Sequence, residues 1–378
     1  MRALVLREPG SPPGVEDLAV EGPRAGEVSV RVMASGVCHS DLHLADGDWT
    51  FPGPVVLGHE GAGVVEAVGP GVAEPAVGDA VALSWYWPCL SCADCQRGRQ
   101  WACARTGAND HLQRDGTTRL RDAAGGPVLA YLSVGTLAER AVVPAQAAIP
   151  LPPGVPWEVA ALIGCCVTTG VGAVLHAARV APGEPVVVFG LGGVGLSVVM
   201  GAVLAGAHPI VAVDRIRAKL ELAQELGATA AVEAEDDAET LARVREATGG
   251  GAAHAFEAAG LPRTAELAIR AVRMGGTAVL VGLPAQGERA SFDVERTVEA
   301  SVSIVGANYG RSVPAVDFPR LARLYLAGRL PIDRLVEERI GLEAAPRALE
   351  ALRAGQGVRR VVVFEPGNPK APAPVVGS

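Results

Sequence analysis

The sequence predicts a mixed α/β protein of two domains, one β-rich and one built as a doubly wound parallel sheet. Three observations lead there. The chain has 378 residues, more than one compact core usually holds. Up to about residue 150, short β-branched runs alternate with Gly/Pro turns. From about Pro182, apolar runs suited to strands buried on both faces alternate with helical stretches.

In the first part, residues 28–33, 63–68 and 80–83 read as strands, separated by turns at 69–71 and 78–79. This period fits a sandwich or a barrel equally well. In the second part, residues 185–189 form a continuous apolar run, followed by Gly190, Gly192 and Gly195 in the pattern G-x-G-x-x-G. A helical stretch at 196–205 leads to a second buried strand at 209–213, which Asp214 ends. The helix at 217–226 stops at Gly227, and the alternation continues with 253–257, 264–272 and 277–281. Such a βαβ series implies a parallel sheet covered by helices. Beyond residue 310 come helical segments at 316–326 and 342–354 and a closing strand at 358–364. The tail at 365–378 is rich in Pro, Gly and Ala and is expected to be mobile.

Composition bounds the function. Nearly half the residues are apolar (49%) and a fifth are charged, which suits a folded protein rather than a disordered one. The net charge of −8 argues against gripping nucleic acid, which needs a basic face. The N-terminus lacks the apolar core of a signal peptide, and the apolar stretches read as too interrupted for the ~20 residues of a membrane span. The expectation is a cytoplasmic protein with no membrane and no nucleic-acid partner.

The glycine motif carries a mechanism in this context, directly after a strand and at the start of a helix. Gly190 makes the turn, Gly192 lets the backbone approach a pyrophosphate, and Gly195 lets helix and strand pack closely. Gly193 and Val194 lie within the same loop. The helix N-terminus offers unpaired N–H groups to phosphate. Asp214, at the end of the next strand, suits the adenosine ribose hydroxyls and repels a 2′-phosphate, so NAD is expected over NADP. The alternative is a structural turn with a surface Asp.

Cys89, Cys92, Cys95 and Cys103 offer four thiols within fifteen residues. Four thiolates with no open position suit a structural zinc. A cubane iron–sulfur cluster and redox chemistry at a C-x-x-C pair remain alternatives.

Three further segments hold scattered donors: Cys38, His39, Ser40, Asp41 and His43 in the first; His59 and Glu60 in the second; Cys165 and Cys166 in the third. Taken with the cysteine lobe and the glycine loop, and in the same order, these segments (GVCHSD, GHE, IGC…TG, GLGGVG) resemble the zinc-containing medium-chain alcohol dehydrogenases of the class I and class III type, up to about Phe364. The resemblance implies a GroES-like catalytic domain at 1–166 with its zinc lobe at about 85–105, a Rossmann domain at 167–306 and a return to the catalytic domain at 307–364. It implies two zinc ions per subunit, a catalytic one on Cys38, His59 and Cys165 and a structural one on the four-cysteine lobe. Glu60 is implied as a transient ligand, and Asp41 as the acceptor for the second ring N–H of His59. Cys166 is expected to be packed rather than to ligate.

In such enzymes zinc acidifies the alcohol, hydride passes to the nicotinamide and the proton leaves by a relay. Ser40 suits the first step of that relay and His43 the last. His39 falls where many relatives carry Arg on the pyrophosphate, so a weaker grip and faster NADH release are expected. By the same resemblance Arg359 touches the pyrophosphate, Lys219 the adenosine ribose, Val194 the nicotinamide face, and Thr169 the cofactor. Trp49, Trp85, Tyr131, Leu132 and Leu283 are expected to wall the substrate pocket, and the tryptophans favour medium-length or aromatic primary alcohols. A thiol-dependent formaldehyde dehydrogenase is the alternative enzyme. A catalytically silent zinc-stabilised binding protein is the alternative of another class. Homo-oligomers, dimers or tetramers, are expected by resemblance.

Overall fold

A computed structural model describes residues 1–364; the tail assigned to residues 365–378 lies outside them. The chain divides into two compact units. One is Met1–Cys165 with the described part of Val313–Ser378, and the other is Cys166–Ser312.

The first unit is β-rich. Its larger sheet runs in the order Ala148–Pro150, Ala80–Leu83, Glu60–Val68, Glu27–Gly36, Arg359–Val363 and Val336–Ile340, with Arg140–Pro144 also paired to Glu27–Gly36. Alternation places Val28, Val30 and Val32 on one face, where they join Val65, Val81 and Leu83 in the main apolar core. A smaller sheet holds the N-terminal strand Arg2–Leu6 beside Gly14–Asp17 and Val55–Val56. The C-terminal strand Arg359–Val363 returns to this unit and pairs antiparallel with Glu27–Gly36, Val361 opposite Gly36. The last strand among the described residues therefore lies beside one of the first.

The second unit is a parallel six-stranded sheet in the order Ala230–Glu233, Ile210–Asp214, Val186–Phe189, Ala252–Glu257, Val272–Leu280, Ser303–Gly306. Numbered within the unit, that order is 3-2-1-4-5-6, the doubly wound arrangement with its switch point beside the first strand. Val187, Phe189, Val211 and Val213 form its core with Leu241, Leu267 and Ala268 from the covering helices. The strand Ala230–Glu233 and the helix Asp237–Ala247 escape a reading by pattern. The strand has only four residues and two are Ala, a poor strand former. The helix is marked instead by its cap, Asp236, whose carboxylate accepts from the N–H of Ala238 at 2.8 Å.

One expectation needs correction. The apolar stretches read as too interrupted for a membrane span, yet Trp157–Ala178 is a continuous helical run of 22 residues whose most apolar 18-residue window has a mean hydropathy of 1.9. Gly164, Gly170 and Gly172 dilute its composition without breaking the helix. Its most apolar window is 89% buried inside the fold, which is how a core helix is placed.

The glycine loop depends on close packing. A Cβ at Gly195 would collide with the carbonyl oxygen of Gly190, while one at Gly192 would meet no atom within 4 Å. Gly190 itself has φ +88°, the left-handed region. Gly195→Ala is therefore expected to lose about 1–3 kcal/mol of stability through overpacking, read as a lower urea midpoint. Gly192→Ala should leave that midpoint close to wild type.

Candidate metal centre and dinucleotide loop

Strand register builds the first centre. Gly36 stands opposite Glu60, and Val361 opposite Gly36. Two residues past Gly36 is Cys38, one before Glu60 is His59, and two before Val361 is Arg359. All three side chains thus arise at the same end of the sheet. The helix Trp157–Leu162 packs on the strands Glu27–Gly36 and Glu60–Val68 and runs on into the wide π turns of Ile163–Val167, which carry Cys165. Such turns recur at functional sites because they re-aim a side chain without ending the helix.

Donor atoms of Cys38, His59, Glu60 and Cys165 all lie within 4.8 Å of one another, and all four residues are buried. The Nε2 of His59 and the Oε2 of Glu60 are buried without a hydrogen-bond partner among the described residues. Buried polar atoms left so are costly unless something else ligates them. Two sulfurs and an imidazole nitrogen are the donors zinc prefers, so the residues fit the metal that the resemblance implies.

Asp41 holds the cluster's backbone. It is fully buried, and its Oδ2 accepts from the Cys38 N–H at 3.0 Å while Oδ1 accepts from the Gly58 N–H at 2.8 Å. Oδ1 also stands 3.4 Å from His59 Nδ1, a long contact that orients the ring and directs Nε2 to the cluster. Cys165 beside it, then Arg359 and His59, hold the Cys38 thiol well below its usual pKa against the opposing effect of burial. Burial pushes the Glu60 carboxyl up to about 7, against the pull of Arg359. Gly36 makes room for that carboxylate, since a Cβ there would collide with Glu60 Oε2.

The second donor set is local. The sulfurs of Cys89, Cys92, Cys95 and Cys103 also lie within 4.8 Å of one another. The Cys89–Cys95 and Cys92–Cys103 pairs are both 4.0 Å apart. Four sulfurs at about 2.3 Å from one ion would stand about 3.8 Å apart, so little movement separates this lobe from a tetrahedral zinc site. The N–H of Cys92 donates to the Cys89 sulfur and that of Cys89 to the Cys103 sulfur, both at 3.3 Å. Cys166 is fully buried and falls outside both donor sets.

The helix His39–Asp46 carries Ser40 and His43 one turn apart. His39 is exposed at its first position. The His43 ring stacks on Trp49, with centroids 4.7 Å apart, and its Nδ1 lies 2.7 Å from Asp48 Oδ2. Tyr131 is buried, meets the His59 ring edge-on at 5.4 Å and donates to the Ser40 carbonyl at 3.5 Å. Leu132 is buried beside it, its N–H bonded to His111 Nδ1. Trp85 is half-buried edge-on to Tyr86 at 5.8 Å. Leu283 belongs to the other unit and is 57% exposed there.

In the second unit the Gly190–Gly195 loop joins the strand Val186–Phe189 to the helix Gly193–Ala205. Asp214 pins it: Oδ2 accepts from the Leu191 N–H at 2.7 Å and Oδ1 from the Ile216 N–H at 2.9 Å. The carboxylate thus stands beside the loop. Lys219 lies one turn into the following helix, half-buried, and Thr169 is buried in the helix Thr168–Gly172. Val194 is half-buried at the start of the helix Gly193–Ala205.

Comparison with known families decides the affiliation. The family described as "Alcohol dehydrogenase GroES-like domain" matches residues 24–153, and "Zinc-binding dehydrogenase" matches residues 193–327. The chain belongs to the zinc-binding alcohol dehydrogenase family. It is 38% identical to the NDMA-dependent alcohol dehydrogenase of Amycolatopsis methanolica, over 96% of this chain and 98% of that one. It is 35% identical to the class-3 alcohol dehydrogenase of Cereibacter sphaeroides, over 96% and 99%. Among solved structures, an alcohol dehydrogenase zinc-binding domain protein from Burkholderia ambifaria superposes with a TM-score of 0.90 at 40% identity, over 97% of this chain and 99% of that one. The benzyl alcohol dehydrogenase of Acinetobacter calcoaceticus gives 0.89 at 32% identity, over 96% and 99%. This member of the alcohol dehydrogenase family is accordingly an oxidoreductase with a GroES-like unit and a Rossmann unit.

Two features of this dehydrogenase were not visible in its sequence. Arg359, assigned by resemblance to the pyrophosphate, is buried with its Nη2 3.3 Å from Glu60 Oε1 and 3.5 Å from the Cys38 sulfur. Asp48 beside His43 belongs to none of the sequence motifs. A side-chain contact across 299 residues places the first, and a turn of the backbone the second, so neither left a local signal.

Asp41→Ala removes the acceptor of two buried N–H groups. Each unpaired group costs about 1–3 kcal/mol, so a stability loss of several kcal/mol is expected in denaturant melts. Asp41→Asn, which keeps one carbonyl oxygen, should lose less.

Proposed function

We propose that the chain is a zinc-dependent dehydrogenase that moves a hydride between a primary alcohol, medium-length or aromatic, or its aldehyde, and NAD. The buried set of Cys38, His59 and Cys165, with Glu60 in reach, carries this reading. Zinc on those donors would make the alcohol hydroxyl acidic near neutral pH, and bound NAD would accept the hydride. The chain's residues do the rest. Asp41 fixes the tautomer of His59, and Ser40 takes the substrate proton at its hydroxyl and hands it on toward His43. The glycine loop and the helix N-terminus behind it receive the pyrophosphate, with His39 as a weaker contact than an Arg would be. Asp214 takes the ribose hydroxyls, aided by Lys219, with Val194 and Thr169 against the nicotinamide end.

A second zinc in the four-cysteine lobe would be structural, since four sulfurs leave no open position. Tyr131, which lies against His59, supports a flat pocket wall and aromatic substrates. Trp49, Trp85 and Leu132 of the same unit complete the proposed lining. A homo-oligomer is supported by the edge strand Ser303–Gly306, near which Phe292, Val294, Val298 and Ile304 are exposed. Seven free cysteines support a reducing, cytoplasmic setting.

Metal analysis tests the zinc assignment. Wild type should hold two zinc ions per chain and the Cys38→Ser and His59→Ala variants one, with activity lower by about three orders of magnitude. One zinc in wild type, or full activity in both variants, would overturn it. The substrate assignment is tested by absorbance at 340 nm over a panel of alcohols and aldehydes. The panel is run with and without added thiol and with and without NDMA, named for one relative; a rate that needs thiol would favour the formaldehyde alternative. For the cofactor, Asp214→Gly is expected to shift preference toward NADP by about tenfold or more, equivalent to about 1.4 kcal/mol. An unchanged ratio of kcat/KM for the two cofactors would remove Asp214 from the site.

A further inference from the structure

His43 is held on two sides by residues that the relay does not otherwise use. The helix His39–Asp46 ends at Gly47, whose φ of +80° lies in the left-handed region that glycine adopts without strain. The chain therefore doubles back. The N–H groups of Asp48 and Trp49 both donate to the His43 carbonyl, at 2.9 and 3.3 Å. The side chains of the same two residues grip its ring. Asp48 Oδ2 stands 2.7 Å from Nδ1, and the Trp49 indole stacks at 4.7 Å with the planes 25° apart.

We propose that Asp48 is a positioning residue of the proton relay, which fixes His43 in the Nδ1–H tautomer so that Nε2 takes up the proton leaving the substrate. This rests on the proposed role of Ser40 and His43. A carboxylate at hydrogen-bond distance accepts, so the neutral ring keeps its proton on Nδ1 and presents its lone pair at Nε2. An unpartnered ring would divide its proton between the two nitrogens. In the oxidative direction the proton from Ser40 arrives at Nε2 and makes the imidazolium. Asp48 balances that charge, and the Trp49 face adds a favourable cation–π contact. The proton later leaves from Nε2 to water, since His43 is 22% exposed at its side chain. Nδ1 and Asp48 end each turnover as they began it, so the relay resets without a ring flip. In the reductive direction the same atoms work in reverse.

The grip also gives Trp49 a second duty. A residue that walls the pocket and stacks on the relay base couples the shape of the cavity to the orientation of the proton acceptor.

The test uses the zinc-loaded full-length enzyme, 15N-labelled at histidine, in wild-type, His43→Ala, Asp48→Asn and Asp48→Ala forms. In wild type the His43 ring should show a protonated Nδ1 and a bare Nε2 at a pH where the ring is neutral. Asp48→Ala should show a tautomer mixture and a kcat for benzyl alcohol about tenfold or more lower, with KM within about twofold of wild type. Asp48→Asn, whose carbonyl can still accept from Nδ1, should recover part of that loss. Added imidazole should speed the His43→Ala variant and leave wild type unchanged. A wild-type ring protonated on Nε2, or an Asp48→Ala variant with wild-type nitrogen signals and kcat, would overturn the proposal. If His43→Ala itself keeps full kcat, the relay reading fails; if it is slow while Asp48→Ala is not, only the role of Asp48 fails. Asp48 is half-exposed, so these variants are expected to fold, and thermal melts check that they do.

Discussion

The carboxylate of Asp41 is the constraint on which the first centre depends. It is buried without access to water and accepts backbone N–H groups from two segments, at Cys38 and at Gly58. Each of those segments carries a donor of the cluster. A buried carboxylate between two loops is expensive to place and more expensive to leave unpaired, so it resists any separation of the loops it joins. Strand register brings Cys38 and His59 to the same end of the sheet, and Asp41 then sets their spacing. Arg359 and Glu60 form a layer behind them, where one positive group faces a carboxylate and a thiol at the bottom of a sheet of valines and glycines.

How much of this was legible depended on the distance over which each feature is built. The clustering of the four-cysteine lobe could be read directly, because its spacing of two, two and seven intervening residues already brings the four sulfurs together. The glycine loop was legible because its roles are local: Gly192 is open, Gly195 is crowded, and Gly190 turns the chain. The donor set of Cys38, His59 and Cys165 was accessible only through family resemblance, since pairing between distant strands and a helix assembles it. Trp157–Ala178 was opaque for another reason. Glycines, threonines and β-branched residues argue locally against a long helix, and burial among apolar neighbours overrides them. Asp48 illustrates a third case, in which a single left-handed glycine redirects two side chains onto a ring already identified.

Asp214 shows how one residue can tie two segments of the fold together. Its two oxygens accept from Leu191 within the glycine loop and from Ile216 at the start of the next helix. The carboxylate therefore couples the glycine turn with the end of the second strand and the start of the next helix. A substitution at Asp214 made to alter the proposed cofactor preference would also remove part of the loop's own hydrogen bonding, so the two effects cannot be separated at this position.

The two donor sets differ in how much chain must assemble before they exist. The cysteine lobe closes between Cys89 and Cys103, a short loop with a small closure entropy. The other set spans Cys38 to Cys165, and Arg359 behind it arrives with the last strand. Contacts so far apart in sequence form late, after local ones. During synthesis the lobe can therefore exist as a finished ligand while the sheet that carries the second centre is still missing a strand. The order in which the two donor sets come together is thereby written into the spacing of their residues.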